Sequence, residues 1–378
     1  MKKLRNIKFL KLIMYIVIGF IVLISSSAYF ILNQPEFGKL PSDKRLERIH
    51  NSKNYKDGSF QNQSKSPNFT GNSNIFKVLY EFIFKKNDRV NPESPIPSIK
   101  TDLRNIKADE DVLVWFGHSS YFIQIDGKKI LVDPIFNGHA SPFPWMVKAF
   151  NGANPFKAED IPDIDYLLIT HDHWDHLDYK TLQKLKERVK TIVCGLGVGE
   201  HLEYWGFNPN SIKELDWYEQ VILEDGFIVN ATPARHFSNR GLKRNQTLWV
   251  SFVFKTPTMN LFLGGDGGYD KHFAEIGEKF GPFDLAILEQ GQYNEKWMFI
   301  HLLPEQVLIA AKDLNAKRLF PVHNSKFALS THQWDEPLEL IIKSSEAIQF
   351  PIITPMIGET VRLKDSTQVF SHWWKNLK

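Results

Sequence analysis

The sequence predicts an α/β domain of two sheets packed face to face with helices covering the outside, set behind one N-terminal transmembrane helix. Three observations point there. Short β-branched or aromatic runs recur after Asp109, helical stretches fall between the later ones, and a long apolar run follows a cluster of basic residues at the start.

Lys2, Lys3, Arg5, Lys8 and Lys11 precede an uncharged run over 12–34 whose centre, 13–24, is almost wholly apolar. About 20 such residues cross a bilayer as a helix. Ser25-Ser26-Ser27-Ala28 is small enough for a cleavage site, so a signal peptide is the alternative. Tyr29-Phe30-Ile31-Leu32 lengthens the run beyond a signal h-region and favours an uncleaved anchor. The basic flank places the N-terminus in the cytoplasm and the rest of the chain outside it, although Lys39, Lys44 and Arg45 weaken the asymmetry.

Residues 35–107 are rich in Asn, Ser, Pro and Lys and read as a linker and irregular lead-in, with Phe76, Tyr80, Phe82 and Phe84 docking part of it on the main domain. The main domain runs over 108–365 and a short tail over 366–378. Within the domain, strand-like runs fall at 112–116, 121–125, 129–132, 166–170, 191–194, 227–231, 248–254, 260–263, 285–288 and 318–322. Asp126-Gly127 between the second and third is a hairpin signal. The clearest helical patterns are 179–189, 304–314 and 337–347. With 43% hydrophobic residues in 378, a large core is expected. A net charge of +3, dispersed along the chain, argues against nucleic acid as a partner.

The densest chemistry is Thr170-His171-Asp172-His173-Trp174-Asp175-His176-Leu177-Asp178, directly after an apolar strand-like run. His171 and His173, two apart in an extended loop, turn their rings the same way, and Asp175 and His176 follow closely enough to serve a second ion. Imidazole and carboxylate are the ligands zinc prefers, and the single cysteine, Cys194, excludes a thiolate-rich structural site and reads as a small core residue. Further candidate ligands sit at strand ends: His236 in Ala231-Thr232-Pro233-Ala234-Arg235-His236, Asp266 in Leu263-Gly264-Gly265-Asp266-Gly267-Gly268, and His323 after Phe320-Pro321-Val322. Taken singly, each is a hydrogen-bonded histidine or a turn aspartate.

The spacing His171, His173, Asp175, His176 resembles the H-x-H-x-D-H signature of the metallo-β-lactamase superfamily. That resemblance implies a four-layer αββα sandwich and a two-zinc centre in which His171, His173 and His236 hold one ion, Asp175, His176 and His323 the other, and Asp266 bridges both. Two zinc ions sharing a hydroxide provide a nucleophile near neutral pH. Asp178 is then placed to orient a ligand imidazole, and His118 to support the site through hydrogen bonds.

Within the superfamily the chain resembles the phospholipase D that hydrolyses N-acylphosphatidylethanolamine. The segments that carry this are Trp115-Phe116-Gly117-His118-Ser119-Ser120, Val132-Asp133-Pro134-Ile135-Phe136, Glu214-Leu215-Asp216-Trp217, Gly265-Asp266-Gly267-Gly268-Tyr269 and Ile276-Gly277-Glu278-Lys279-Phe280-Gly281-Pro282-Phe283-Asp284. Gly267, where that branch has threonine, and Ile300 before His301 depart from its pattern. His301 matches a histidine the family keeps beside the metals, where it binds the scissile phosphate or protonates the leaving group; its alternative is a histidine near the start of a helix. The resemblance implies a membrane-bound phosphodiesterase acting on a phospholipid. A lactonase, esterase or β-lactamase of the same fold is the rival enzyme, and a non-catalytic binding protein the rival of another class. The apolar stretch 141–150 is left with three readings: burial, a homodimer contact, or a path for acyl chains. His50, His139, His201, His272, His332 and His372 are expected on the surface or behind the site.

Overall fold

In the computed structural model, which describes residues 2–377 apart from Asn68, Asn72, Lys86, Asn87 and Asp225, helix α1 (Lys2–Leu32) projects from the domain with none of its apolar span buried. Asn6–Leu32 is long and apolar enough to cross a membrane. The chain then forms α2 (Asp43–His50), β1 (Tyr55–Lys56), β2 (Ser59–Phe60) and α3 (Ile75–Phe84) before the first large sheet begins.

That sheet comprises β3 (Val112–Trp115), β4 (Tyr121–Ile125), β5 (Lys128–Val132), β6 (Ile164–Ile169), β7 (Val189–Gly195) and β8 (Ile212–Leu215). The second holds β9 (Gln220–Glu224), β10 (Phe227–Thr232), β11 (Ser251–Lys255), β12 (Asn260–Leu263), β13 (Leu285–Glu289) and β14 (Leu319–Val322), and β15 (Thr360–Arg362) returns to the first sheet beside β3. Helices α4 (Tyr179–Leu185) and α5 (Gly199–Tyr204) belong to the first half, and α6 (His272–Phe280), α7 (Pro304–Asp313) and α8 (Glu336–Ile348) to the second.

Period-two alternation explains the layering. Tyr166 and Leu168 of β6 enter the core between the sheets, with Phe252 and Phe254 of β11 and Leu285 and Ile287 of β13. Leu167 and Ile169 point the other way, onto Leu182 and Leu185 of α4 and Leu202 of α5, and Cys194 is buried with them. Phe262, Ala286 and Leu288 likewise face α6 and α7. Helix, sheet, sheet, helix is therefore the order of layers, as expected. The Asp126-Gly127 turn is a two-residue hairpin loop in which Ile125 pairs with Lys128 and both turn residues have positive φ, 48° and 75°.

Strands β5 to β8 run parallel, as do β12 to β14, so the loops that leave β5, β6, β12, β13 and β14 emerge at the carboxyl ends of parallel strands. Such ends are where open α/β sheets gather ligands.

The lead-in is closely tied to the domain. Arg45 of α2 reaches Glu200 at 2.6 Å and Glu214 at 2.7 Å and also pairs with Glu203, while Ile49 and Phe60 lie in the inter-sheet core. Trp373 and Trp374, near the C-terminus, are buried in the same core. The stretch 141–150 is buried at Ser141 and Phe150 and exposed at Trp145 and Met146.

Candidate metal centre

β6 delivers the histidine-rich loop, and what aims its rings comes from β5. Asp133, with φ of 40°, accepts from the Thr170 amide at 2.9 Å and from the Thr170 hydroxyl at 2.6 Å, and meets His176 Nδ1 at 2.8 Å. That contact leaves His176 Nε2 facing Asp266 and Asp175. His171 is held the same way through Nδ1, 3.0 Å from Thr170 Oγ1, and His236 through Nδ1, 2.8 Å from the Ile300 carbonyl. Asp172 fastens the loop from below: its carboxylate accepts from the Thr247 hydroxyl at 2.9 Å and the Asn239 amide at 3.0 Å.

The freed ring nitrogens converge. His173 Nδ1 lies 3.0 Å from His171 Nε2 and 3.2 Å from His236 Nε2. Across from them, His176 Nε2 lies 3.5 Å from Asp175 Oδ2, and His323 belongs to the same cluster. Asp266 stands between the two groups, with Oδ2 3.2 Å from His176 Nε2 and 3.9 Å from both His171 Nε2 and His236 Nε2, and Oδ1 3.1 Å from His323 Nδ1. Gly265 makes this placement feasible: its φ is +60°, and a Cβ there would come within 2.9 Å of the Thr170 side chain.

The donors fit divalent cations. His176 Nε2, His323 Nε2 and Asp266 Oδ1 are buried without a hydrogen-bond partner, a state that buried polar atoms rarely tolerate. Donors sharing one tetrahedral ion at about 2.1 Å lie roughly 3.4 Å apart, close to the separations observed. Burial holds His171, His236 and His323 well below the usual imidazole range, so they are neutral and present lone pairs. Burial alone raises the Asp266 carboxyl, but the charge of His176 beside it outweighs this and keeps it well below the ordinary carboxylate range.

The structure thus brings together all seven residues expected to bind metal. It also brings His301 there, ring centroids 5.3 Å from both His236 and His323. Glu289, at the end of β13, meets His301 Nδ1 at 2.7 Å and accepts from the Leu302 and Gly267 amides at 2.9 and 3.1 Å. Burial lowers the His301 pKa, but the Glu289 carboxylate reverses this and the net shift is upward. His118 lies beside the cluster, with Nε2 2.8 Å from Asp175 Oδ2. Asp178 does not act as expected. Its carboxylate caps α4 by accepting from the Lys180 amide and the Thr181 hydroxyl, and it also takes a bond from Asn137 at 2.6 Å, so the orienting carboxylate is Asp133 instead.

Asp133 and Glu289 were missed, although each is an acidic residue ending an apolar strand run, which is the signal that finds them. Asn62 was missed without a signal: it clamps the His236 backbone from the lead-in, donating to its carbonyl at 2.8 Å and accepting from its amide at 3.1 Å. Of the other histidines, His139, His201 and His272 are buried, not exposed, and none of the six joins these ligand groups. A cavity of about 350 Å³ opens above the centre, with Phe69, Phe237, Trp297, Ile300 and Leu329 as its apolar wall and Asn239, Arg244 and Gln292 as polar points. No residue of 141–150 lines it.

Residues 128–324 match the family model described as the beta-lactamase superfamily domain. An uncharacterised protein of Mycobacterium tuberculosis is 35% identical over 86% of this chain and 88% of its own length. N-acyl-phosphatidylethanolamine-hydrolyzing phospholipase D 1 of Caenorhabditis elegans is 28% identical over 81% of this chain and 91% of its own. Among solved structures, Igni18, a metallo hydrolase from Ignicoccus hospitalis, superposes with a TM-score of 0.52 at 22% identity, covering 67% of this chain and 98% of that one. The chain belongs to the metallo-β-lactamase superfamily as a metal-dependent hydrolase of that fold, with N-acylphosphatidylethanolamine-hydrolysing phospholipases D among its relatives.

Proposed function

We propose that the protein is a membrane-anchored, two-zinc phosphodiesterase of the phospholipase D type, acting on N-acylphosphatidylethanolamine-like lipids. The observation that carries this reading is one juxtaposition: a His and Asp cluster floors an apolar cavity, with a carboxylate-backed histidine on the wall and an arginine at the mouth. His171, His173 and His236 would hold one ion, Asp175, His176 and His323 the other, and Asp266 would touch both. When bound, such ions supply a water acidic enough to act as nucleophile near neutral pH and draw charge from a substrate oxygen.

The chain's own groups account for the rest. Apolar wall residues take the acyl region, and Arg244 offers a cation to the phosphate. Water's oxygen forms a bond to phosphorus while the bond from phosphorus to the ethanolamine oxygen breaks. His301, held through Nδ1 by Glu289, presents Nε2 to give that oxygen its proton, so phosphatidic acid and an N-acylethanolamine are the products. The relative in Caenorhabditis elegans, named for hydrolysis of this lipid, supports the assignment. Basic residues in the first turns of α1, ahead of its apolar run, favour a cytoplasmic N-terminus with the catalytic domain on the other side.

Incubating the zinc-loaded full chain with N-acylphosphatidylethanolamine, a lactone and a β-lactam tests the reading. Release of phosphatidic acid supports it. Turnover of the lactone or β-lactam with no phospholipid cleaved overturns it.

A further inference from the structure

The chain that leaves α1 is fastened at once to the metal loops. Trp205 Nε1 donates to the Pro35 carbonyl at 2.7 Å, and Arg240 Nε donates to the Glu36 carbonyl at 2.7 Å. Phe37 packs edge-on against Trp174, centroids 5.0 Å apart. Trp174 lies between His173 and Asp175, and the Arg240 guanidinium covers its ring at 4.1 Å while donating to the Asp172 carbonyl at 2.9 Å. Arg240 belongs to the same loop as Phe237, Asn239 and Arg244, which line the cavity. From Leu32 to Glu36 the chain reaches at most roughly 14 Å. Through Glu36 and Arg240, that short strap ties the loop forming one wall of the cavity to the end of the apolar helix.

The opposite wall carries an uncovered apolar face. Phe69 and Trp297 line the cavity there, and between them Thr70 N donates to the Lys296 carbonyl at 2.8 Å while Lys296 pairs with Glu81 of α3. On α3, Phe76, Tyr80 and Phe84 recur every four residues and so share one face, yet they are 79%, 52% and 69% exposed. Lys77 and Lys85 beside them are exposed as well. On the loop that carries Arg244, Leu242 is 83% exposed between Gly241 and Lys243. Aromatic rings flanked by lysines suit the boundary between lipid headgroups and acyl chains.

We propose that this rim, Phe76, Tyr80 and Phe84 of α3 with Leu242 opposite, dips into the leaflet that α1 crosses, so that a phospholipid passes from the bilayer into the metal cavity without crossing water. The occupant is the bilayer surface because the anchor keeps the domain there and the four-residue strap leaves little freedom to turn the cavity away. This inference rests on the reading of α1 as a membrane span and deepens that of lipid as substrate.

The full chain in phosphatidylcholine nanodiscs provides the test. Nitroxide labels placed by Tyr80→Cys or Leu242→Cys, with Cys194 buried and spared, are compared for collision with dissolved oxygen, which enriches in lipid, and with a water-soluble nickel chelate. Both labels should favour oxygen. Phe76→Ser with Phe84→Ser should slow cleavage of a bilayer-embedded lipid roughly tenfold and leave a short soluble phosphodiester and the metal content unchanged. Labels that collide mainly with the nickel chelate overturn the proposal, as does spin coupling between Tyr80 labels of two copies in lipid-free detergent. Lipid-buried labels on a protein that cleaves no phospholipid support the docking and overturn the substrate reading alone.

Discussion

The two sides of the candidate metal centre are built from histidine and aspartate donors but backed by different chemistry. Behind His171 and His236 stand neutral groups, the Thr170 hydroxyl and the Ile300 carbonyl. The side of Asp175, His176 and His323 has the Asp133 carboxylate behind His176, His118 behind Asp175 and the Ser119 hydroxyl 3.0 Å from His323 Nδ1. A carboxylate behind an imidazole raises its strength as a donor, and Asp175 adds a charge of its own. The two sides should therefore differ in their hold on a cation, through Asp175 within the signature and through Asp133, His118 and Ser119 outside it.

Removing the one residue between the two sides should have the largest effect. Asp266→Ala is expected to abolish hydrolysis and lower the content of both ions, as measured by elemental analysis beside a thermal unfolding curve. A variant that keeps two ions and the wild-type rate would show the sides to be independent and remove Asp266 from its bridging place.

His301→Ala comes next, because in the proposed mechanism this residue gives the leaving group its proton. Loss of a proton donor typically costs about 10²–10⁴-fold. That loss is expected on a poor leaving group, with a much smaller one on a nitrophenolate and both ions retained. Glu289→Gln should follow the same pattern more weakly, since a neutral Gln oxygen can still meet His301 Nδ1 and the Leu302 and Gly267 amides. Equal losses on both substrates would make the pair a positioning device, and no loss would leave His301 as a structural residue at the start of α7.

What could be read in advance follows the same divide. The ligand loop was legible because several donors fall on one turn, and the sandwich because alternation in 166–169 or 285–288 reports two buried faces. Supporting residues were not, because their partners are remote: Asp133 acts on residues 37 and 43 positions away, and Arg45 on glutamates 155 to 169 positions away. Asp178 misled for the opposite reason. It is near the histidines in sequence, but a helix starts at Tyr179, and unpaired amides at that start are the nearest claim on its carboxylate.

The difference between the sides is sharpened by pairing two variants. His171→Ala should leave one ion bound as tightly as the tighter ion of the wild type, whereas Asp133→Asn should weaken that ion about 10- to 100-fold and the other far less. Graded chelation followed by calorimetric titration separates the two constants. Equal weakening of both ions by Asp133→Asn would break the comparison.

The smallest effect belongs to Lys326, three residues past His323. Its ammonium nitrogen is buried with the Phe116 and Ile135 carbonyls as acceptors, at 3.0 and 2.9 Å, and burial lowers its pKa from 10.5 to about 7. Between pH 7 and 10.5 the unfolded chain holds this proton more often than the folded one, so stability must rise with pH in that window. The slope is at most about 1.4 kcal/mol per pH unit, and below pH 7 both states are protonated and it vanishes. Lys326→Met leaves two carbonyls unpaired, so its absolute stability is a poor guide. The informative quantity is the difference between wild-type and variant denaturation curves from pH 6 to 10, flat at first and then growing in favour of the wild type. A difference independent of pH would mean that Lys326 keeps an ordinary pKa in the folded protein.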